Sequence, residues 1–118
     1  ETTDSMVLIA GGSGIAPLMS HLRGLRDRQT ATPVTLLYST RRSAACYIAE
    51  LQTPRHNETI IIRYTDQAPR LTERDITQHL RKNSRVFICG SKSFVDVMRT
   101  YVSTKLPPEH IFSESFSL

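Results

Sequence analysis

Short apolar runs alternate along the chain with segments whose apolar residues recur at helical spacing. Residues 6–10, Met-Val-Leu-Ile-Ala, run without a charge, as a strand buried on both faces does. Residues 33–38, 59–64 and 85–89 repeat the pattern, with Val34, Ile60, Ile61, Ile62, Val86 and Ile88 supplying β-branched side chains. Residues 111–116 predict a fifth, terminal strand. Between the first two runs Ile15, Leu18, Met19, Leu22 and Leu25 fall on one helical face, which predicts a helix opened by Pro17. A short helix is expected over 44–51. Thr72 with Asp75 three residues on predicts a capped helix running to about 82, with Ile76 and Leu80 turned inward. Ser93 and Asp96 predict a second cap, for a helix carrying Phe94, Val95, Met98, Tyr101 and Val102 and ending before Pro107.

Strands alternating with helices over short loops imply an α/β fold: a five-stranded parallel Rossmann-like sheet with helices on both faces. Ligands on such sheets lie beyond the carboxyl ends of the strands. Those ends fall at 11–13, 39–42, 64–66, 89–90 and 114–116, where the unusual and polar residues gather. The first is Gly11-Gly-Ser-Gly14, between the first strand and the first helix. A strand, a glycine turn and a helix start present backbone N–H groups and a positive helix end to a phosphate. Glycine is expected there because a Cβ blocks both a tight turn and the approach of a pyrophosphate. Gly11, Gly12, Ser13 and Gly14 are therefore the candidate pyrophosphate cradle, with the Ser13 hydroxyl as a further donor.

The 118 residues suit one domain, expected over 6–118, behind a polar linker at 1–5. Fifteen Lys and Arg against eleven Asp and Glu leave a scattered net charge of +4. That suits a solvated surface, or a docking face for an acidic redox partner, and it lacks the basic stripe interleaved with aromatics of a nucleic-acid binder. No apolar run approaches the roughly 20 residues of a membrane-spanning helix, and no signal peptide is expected. Cys46 and Cys89 make neither a disulfide framework nor a metal spacing, so a reducing compartment, cytosol or mitochondrial matrix, is expected. The four histidines are dispersed, and no metal site is expected.

With those strand ends in view, the chain resembles the NAD(P)H-binding domain of the ferredoxin–NADP reductase superfamily. Gly11-Gly-Ser-Gly-Ile-Ala-Pro17 is similar to the family's G-G-T-G-x-x-P turn, with serine for the usual threonine. Phe87-Ile-Cys-Gly90 followed by Met98 resembles its C-G-P…M segment, and Glu114-Ser-Phe116 its terminal E-x-F. Residues 70–76 and 108–111 resemble the branch named oxidoreductase NAD-binding domain-containing proteins. Ser91 stands where the family has proline, which implies a looser turn. The family holds FAD mainly on an upstream β-barrel domain with an Arg-x-Tyr-Ser/Thr motif. No such motif occurs in these 118 residues, so the chain is expected to bind a dinucleotide and to perform no redox chemistry alone.

The resemblance implies further roles. Cys89, beside Gly90, packs against nicotinamide C4 as a small soft side chain and not as a covalent nucleophile. Glu114 holds the nicotinamide amide or relays a proton, and Phe116 covers the site. Ser39, Arg41, Thr65 and Asp66 lie where the adenosine half is bound. An aspartate there accepts hydrogen bonds from ribose hydroxyls and repels a 2′-phosphate, and Tyr64-Thr-Asp66 is similar to the NADH-linked stretch of cytochrome b5 reductases. Arg41 and Arg42 oppose that reading, since either guanidinium suits a phosphate. The balance leans to NADH over NADPH. Tyr47 reads as a surface tyrosine more readily than as an adenine stack. The expected parent is an FAD-dependent reductase, with its flavin domain in cis and an iron–sulfur or haem acceptor. The competing readings are a non-catalytic dinucleotide sensor and an unrelated Rossmann dehydrogenase. The latter wants a third glycine where this chain has Pro17.

Overall fold

The computed structural model describes residues 4–116. Residues 1–3, most of the expected linker, lie outside that range. The first strand, β1 (Ser5–Gly11), opens at Ser5, whose buried hydroxyl lies 2.6 Å from that of Ser84. It is followed by α1 (Ile15–Asp27), β2 (Val34–Thr40), α2 (Ile48–Leu51), β3 (Glu58–Tyr64), α3 (Glu73–Thr77), β4 (Ser84–Ser91), α4 (Lys92–Ser103) and β5 (Ile111–Phe116). The five strands form one all-parallel sheet in the order β3-β2-β1-β4-β5. The chain winds outward from β1 through β2 to β3, then crosses back and winds the other way through β4 to β5. The crevice between the carboxyl ends of β1 and β4 is thus the switch point, where such sheets bind ligands.

Alternation along β1 feeds two cores. Val7 and Ile9 join Val86, Ile88, Ile76, Val95, Met98 and Val102 beneath α3 and α4. Leu8 and Ala10 join Leu36, Tyr38, Leu18, Met19, Leu22 and Cys89 beneath α1 and α2. Central strands buried on both faces need the near-continuous apolar runs that the sequence carries.

Four local boundaries differ from expectation. A 3-10 turn over Gly12–Gly14 precedes α1, which starts at Ile15 and not at Pro17. The expected helix over 44–51 divides into a 3-10 turn at Arg42–Ala44 and the single turn of α2, because Tyr47 adopts φ 63° between them. The reciprocal Thr72–Asp75 capping box forms as expected, but α3 ends at Thr77. The next residues drop through tight turns to the sheet, and Leu80 reaches the core from a turn. The cap of α4 is Ser91, whose hydroxyl accepts the Phe94 N–H at 3.3 Å, two residues before the expected cap. Position 91 therefore carries a helix cap in place of the looser turn expected there.

Candidate functional site: a cleft over the strand ends

The glycine turn is built by three different constraints. Gly12 has φ +55°, a left-handed conformation that favours glycine, and the space beyond its Cα is open. A Cβ on Gly14 would run into the backbone carbonyl of Cys89, so this glycine seats the turn on β4. A Cβ on Gly11 would lie 2.7 Å from the Phe94 ring, and one on Gly90 2.8 Å from it. Packing inside the protein thus requires glycine at 11 and 90, against the Phe94 ring, and at 14, against the β4 backbone, a reason different from the ligand approach read from the sequence.

No side chain caps the 3-10 turn or α1, and no acidic residue lies in the first turn of either. The Ile15 N–H is taken by the carbonyls of the 3-10 turn and Pro17 has none, so what the segment offers an anion is the start of the 3-10 turn and the positive end of the 13-residue helix behind it. A cleft of about 980 Å³ opens over this turn. Gly11, Gly12 and Ser13 line it at the switch point, Ser39 and Arg41 at the end of β2, and Thr65 and Asp66 after β3. Seven sequence-predicted residues are therefore brought to one concavity. Ser39 belongs to β2 itself, because pairing with β3 continues to Thr40.

The loops that carry the polar rim are tied down. The Tyr38 hydroxyl, buried under α1, accepts the Cys46 N–H at 3.1 Å, and the Thr40 carbonyl accepts the Thr65 N–H at 2.9 Å. Asp66 Oδ1 accepts the Arg42 N–H at 3.1 Å, which fixes the carboxylate at the cleft. The Arg42 guanidinium lies 4.2 Å from the centroid of the Tyr64 ring and donates to Gln67 Oε1 at 2.8 Å. Of the two arginines after β2, Arg41 lines the cleft and Arg42 serves the loop.

Cys89, Gly90, Glu114 and Phe116 do not line this cleft, nor does Gly14. Cys89 is 2% exposed and lies on the α1 side of the sheet, where Phe116 packs against the same core. Cys89 and Glu114 are register partners on β4 and β5, so their side chains share that face. Burial pushes the Cys89 thiol up, the Glu114 carboxylate adds to this, and a hydrogen bond involving the Gly90 backbone offsets part of it. The thiol is accordingly neutral near pH 7, in keeping with packing and not nucleophilic attack. Two register pairs nearer the amino ends, and so on the same face, Phe87 and Phe112 stack with centroids 5.0 Å apart, and Phe112 is 42% exposed.

Sequence reasoning missed the opposite wall of the cleft. It is lined by Ser91 and Ser93, then Phe94, Val97, Met98 and Tyr101 of α4, together with Arg70 and Leu71, the latter in the same core as α4. The available signal was the width of the apolar arc on α4: with Val97, 45% exposed, it exceeds what the core occupies. Among the described residues no three His, Cys, Asp or Glu side chains gather as metal ligands, and no helix is long and apolar enough to cross a membrane.

A doubly wound parallel sheet, with an uncapped glycine turn opening a cleft at its switch point, defines a dinucleotide-binding type of domain. The chain belongs to the oxidoreductase NAD-binding domain family, whose profile matches residues 8–100. It is similar to oxidoreductase NAD-binding domain-containing protein 1 of Bos taurus, 28% identical over a 145-residue alignment that covers 98% of this chain and 47% of that protein. The chain thus spans about half the length of that curated relative. Its fold matches a flavohemoglobin from Malassezia yamatoensis with bound FAD and heme: TM-score 0.85, 21% identity, 98% of this chain and 32% of that one. It also matches phthalate dioxygenase reductase, a modular protein for electron transfer from pyridine nucleotides to [2Fe-2S]: TM-score 0.80, 24% identity, 96% of this chain and 36% of that one. The chain is therefore an oxidoreductase NAD-binding domain, and it shares its fold with both of those proteins.

Proposed function

We propose that the chain binds NADH in preference to NADPH and positions its nicotinamide for hydride transfer to a flavin carried elsewhere in a larger reductase. The uncapped turn over Gly12–Gly14, joined by one cleft to a fixed Asp66, is the observation that carries this reading. Backbone N–H groups at the turn, with the Ser13 hydroxyl, take the pyrophosphate. Asp66 meets the adenosine ribose with the oxygen not held by the Arg42 N–H, and its charge opposes a 2′-phosphate. The engagement of Arg42 with Tyr64 and Gln67 supports the same choice, since it leaves Arg41 as the cleft cation after β2. Cys89 gives the nicotinamide a small neutral surface, and Glu114 beside it holds the carboxamide. The bound cofactors supply the hydride and electron chemistry; the protein's part is orientation. The exposed Phe112 and half-buried Phe116, on the face shared with Cys89, support docking of a flavin-bearing half there. An iron–sulfur or haem acceptor downstream fits the neighbours' composition.

The test is an NMR titration of this chain with NADH and, separately, NADPH. Shifts clustered at residues 11–14 and 65–66, with NADH the tighter ligand, are expected. Asp66→Ser is expected to narrow the NADH-to-NADPH affinity ratio about 10-fold, the size of one lost charge contact. Saturating NADH with no perturbation at the turn defeats the reading, and an unchanged ratio in Asp66→Ser defeats the role of Asp66.

A further inference from the structure

The two glycines that face each other across the switch point, Gly11 and Gly90, are both shaped by one side chain. Atoms Cγ, Cδ1 and Cδ2 of Phe94 would all lie within 2.9 Å of a Cβ on Gly11, and Cδ2 would lie 2.8 Å from one on Gly90. The ring therefore sits across both backbones, filling the crevice between β1 and β4 on the α4 side. Its own backbone is pinned, since its N–H donates to the capping hydroxyl of Ser91. Part of the ring packs on the core of Val95 and Met98, and part lines the cleft.

A ligand reaching from Asp66 after β3 to Cys89 on β4 crosses three strand spacings, about 14 Å. Asp66 lines the cleft on the α4 side, whereas Cys89 points to the α1 side. The ligand must therefore pass over the tips of β1 and β4, where Phe94 forms the floor. We infer that Phe94 is a ligand-positioning residue: its ring sets the depth at which the pyrophosphate and nicotinamide ribose lie, and so delivers the nicotinamide to the Cys89 face. Adenosine, two strands away, does not touch it. This inference rests on the dinucleotide reading above and adds the residue that divides the ligand's two halves.

The test measures affinities of this chain for NADH and for AMP, which carries the adenosine half alone. Phe94→Ala is expected to weaken NADH about 10-fold, with Phe94→Leu intermediate and AMP unchanged in both. Equal weakening of AMP and NADH makes Phe94 a structural residue and overturns the inference, as does an unchanged NADH affinity in a folded variant. Wild-type chain that binds neither ligand overturns the dinucleotide reading itself, and this inference with it. Should Phe94→Ala fail to fold, wild-type protein suffices. Nuclear Overhauser contacts from the Phe94 ring to nicotinamide-ribose protons are expected; contacts to adenine protons, or none to bound NADH, are the contrary result.

Discussion

Gly12 and Gly14 sit two residues apart in one turn and are glycines for unrelated reasons. Gly12 carries a left-handed φ with open space around it, so alanine there meets only backbone strain, about 1 kcal/mol. Gly14 lies against the Cys89 carbonyl, and an added methyl forces β4 and the turn apart, at about 3 kcal/mol. Urea melts of Gly12→Ala and Gly14→Ala are expected to rank in that order; equal losses would show that the turn yields freely. The glycines themselves were legible in the sequence. The reason for Gly14 was not, because the Cys89 carbonyl arrives from a strand 75 residues further along the chain.

Elements are joined by one ion network on the face away from α4. The Arg26 guanidinium on α1 donates two bonds to Glu58 at the start of β3, at 2.8 and 2.7 Å, and a third to Glu50 on α2 at 3.3 Å. The Glu58 side chain is 2% exposed; burial pushes its carboxyl up, and the Arg26 fork with the Arg55 N–H outweighs this and holds it below the usual range. Arg26→Met strands that buried charge and is expected to cost about 3 kcal/mol in chemical unfolding. Arg23→Ala, which removes an exposed partner of Glu50, is expected to change little. Similar losses from both would contradict a buried pair. The sequence set Arg26 on the polar face of α1, since period alone cannot say that β3 ends up beneath it. The Thr72–Asp75 cap was legible because its partners are three residues apart, whereas the end of α3 was not: Leu80 satisfies helical spacing and reaches the core from a turn.

At the scale of the molecule, three shifted groups act on stability in the same direction. Burial, with Arg28 nearby, lowers His21 from its ordinary value, so the folded state resists the proton that the unfolded chain takes up below about pH 6.5. Stability from His21 is thus full above that pH and declines on acidification. Asp75, lowered first by the Thr72 N–H, and Glu58 contribute stability present above about pH 4 and lost as the pH falls through their folded values. Thermal melts from pH 8 to pH 3 are expected to show a shallow fall below 6.5 and a steeper one below 4. His21→Gln is expected to remove the shallow part; an unchanged profile would place that slope elsewhere.

The amino-acid sequence by itself determined the strands, the parallel α/β class, the glycine turn and the family, because each rests on residues adjacent in the chain or repeating at a fixed period. It also placed Ser39, Arg41, Thr65 and Asp66 at strand ends, and parallel winding carries all such ends to one edge. Only the tertiary structure decided the strand order, which puts the crevice between β1 and β4. It alone set Cys89 and Glu114 on the face opposite the cleft, since a side chain's face depends on strand register. It also brought the α4 wall and Phe94 to the turn, a contact between segments that local patterning cannot encode.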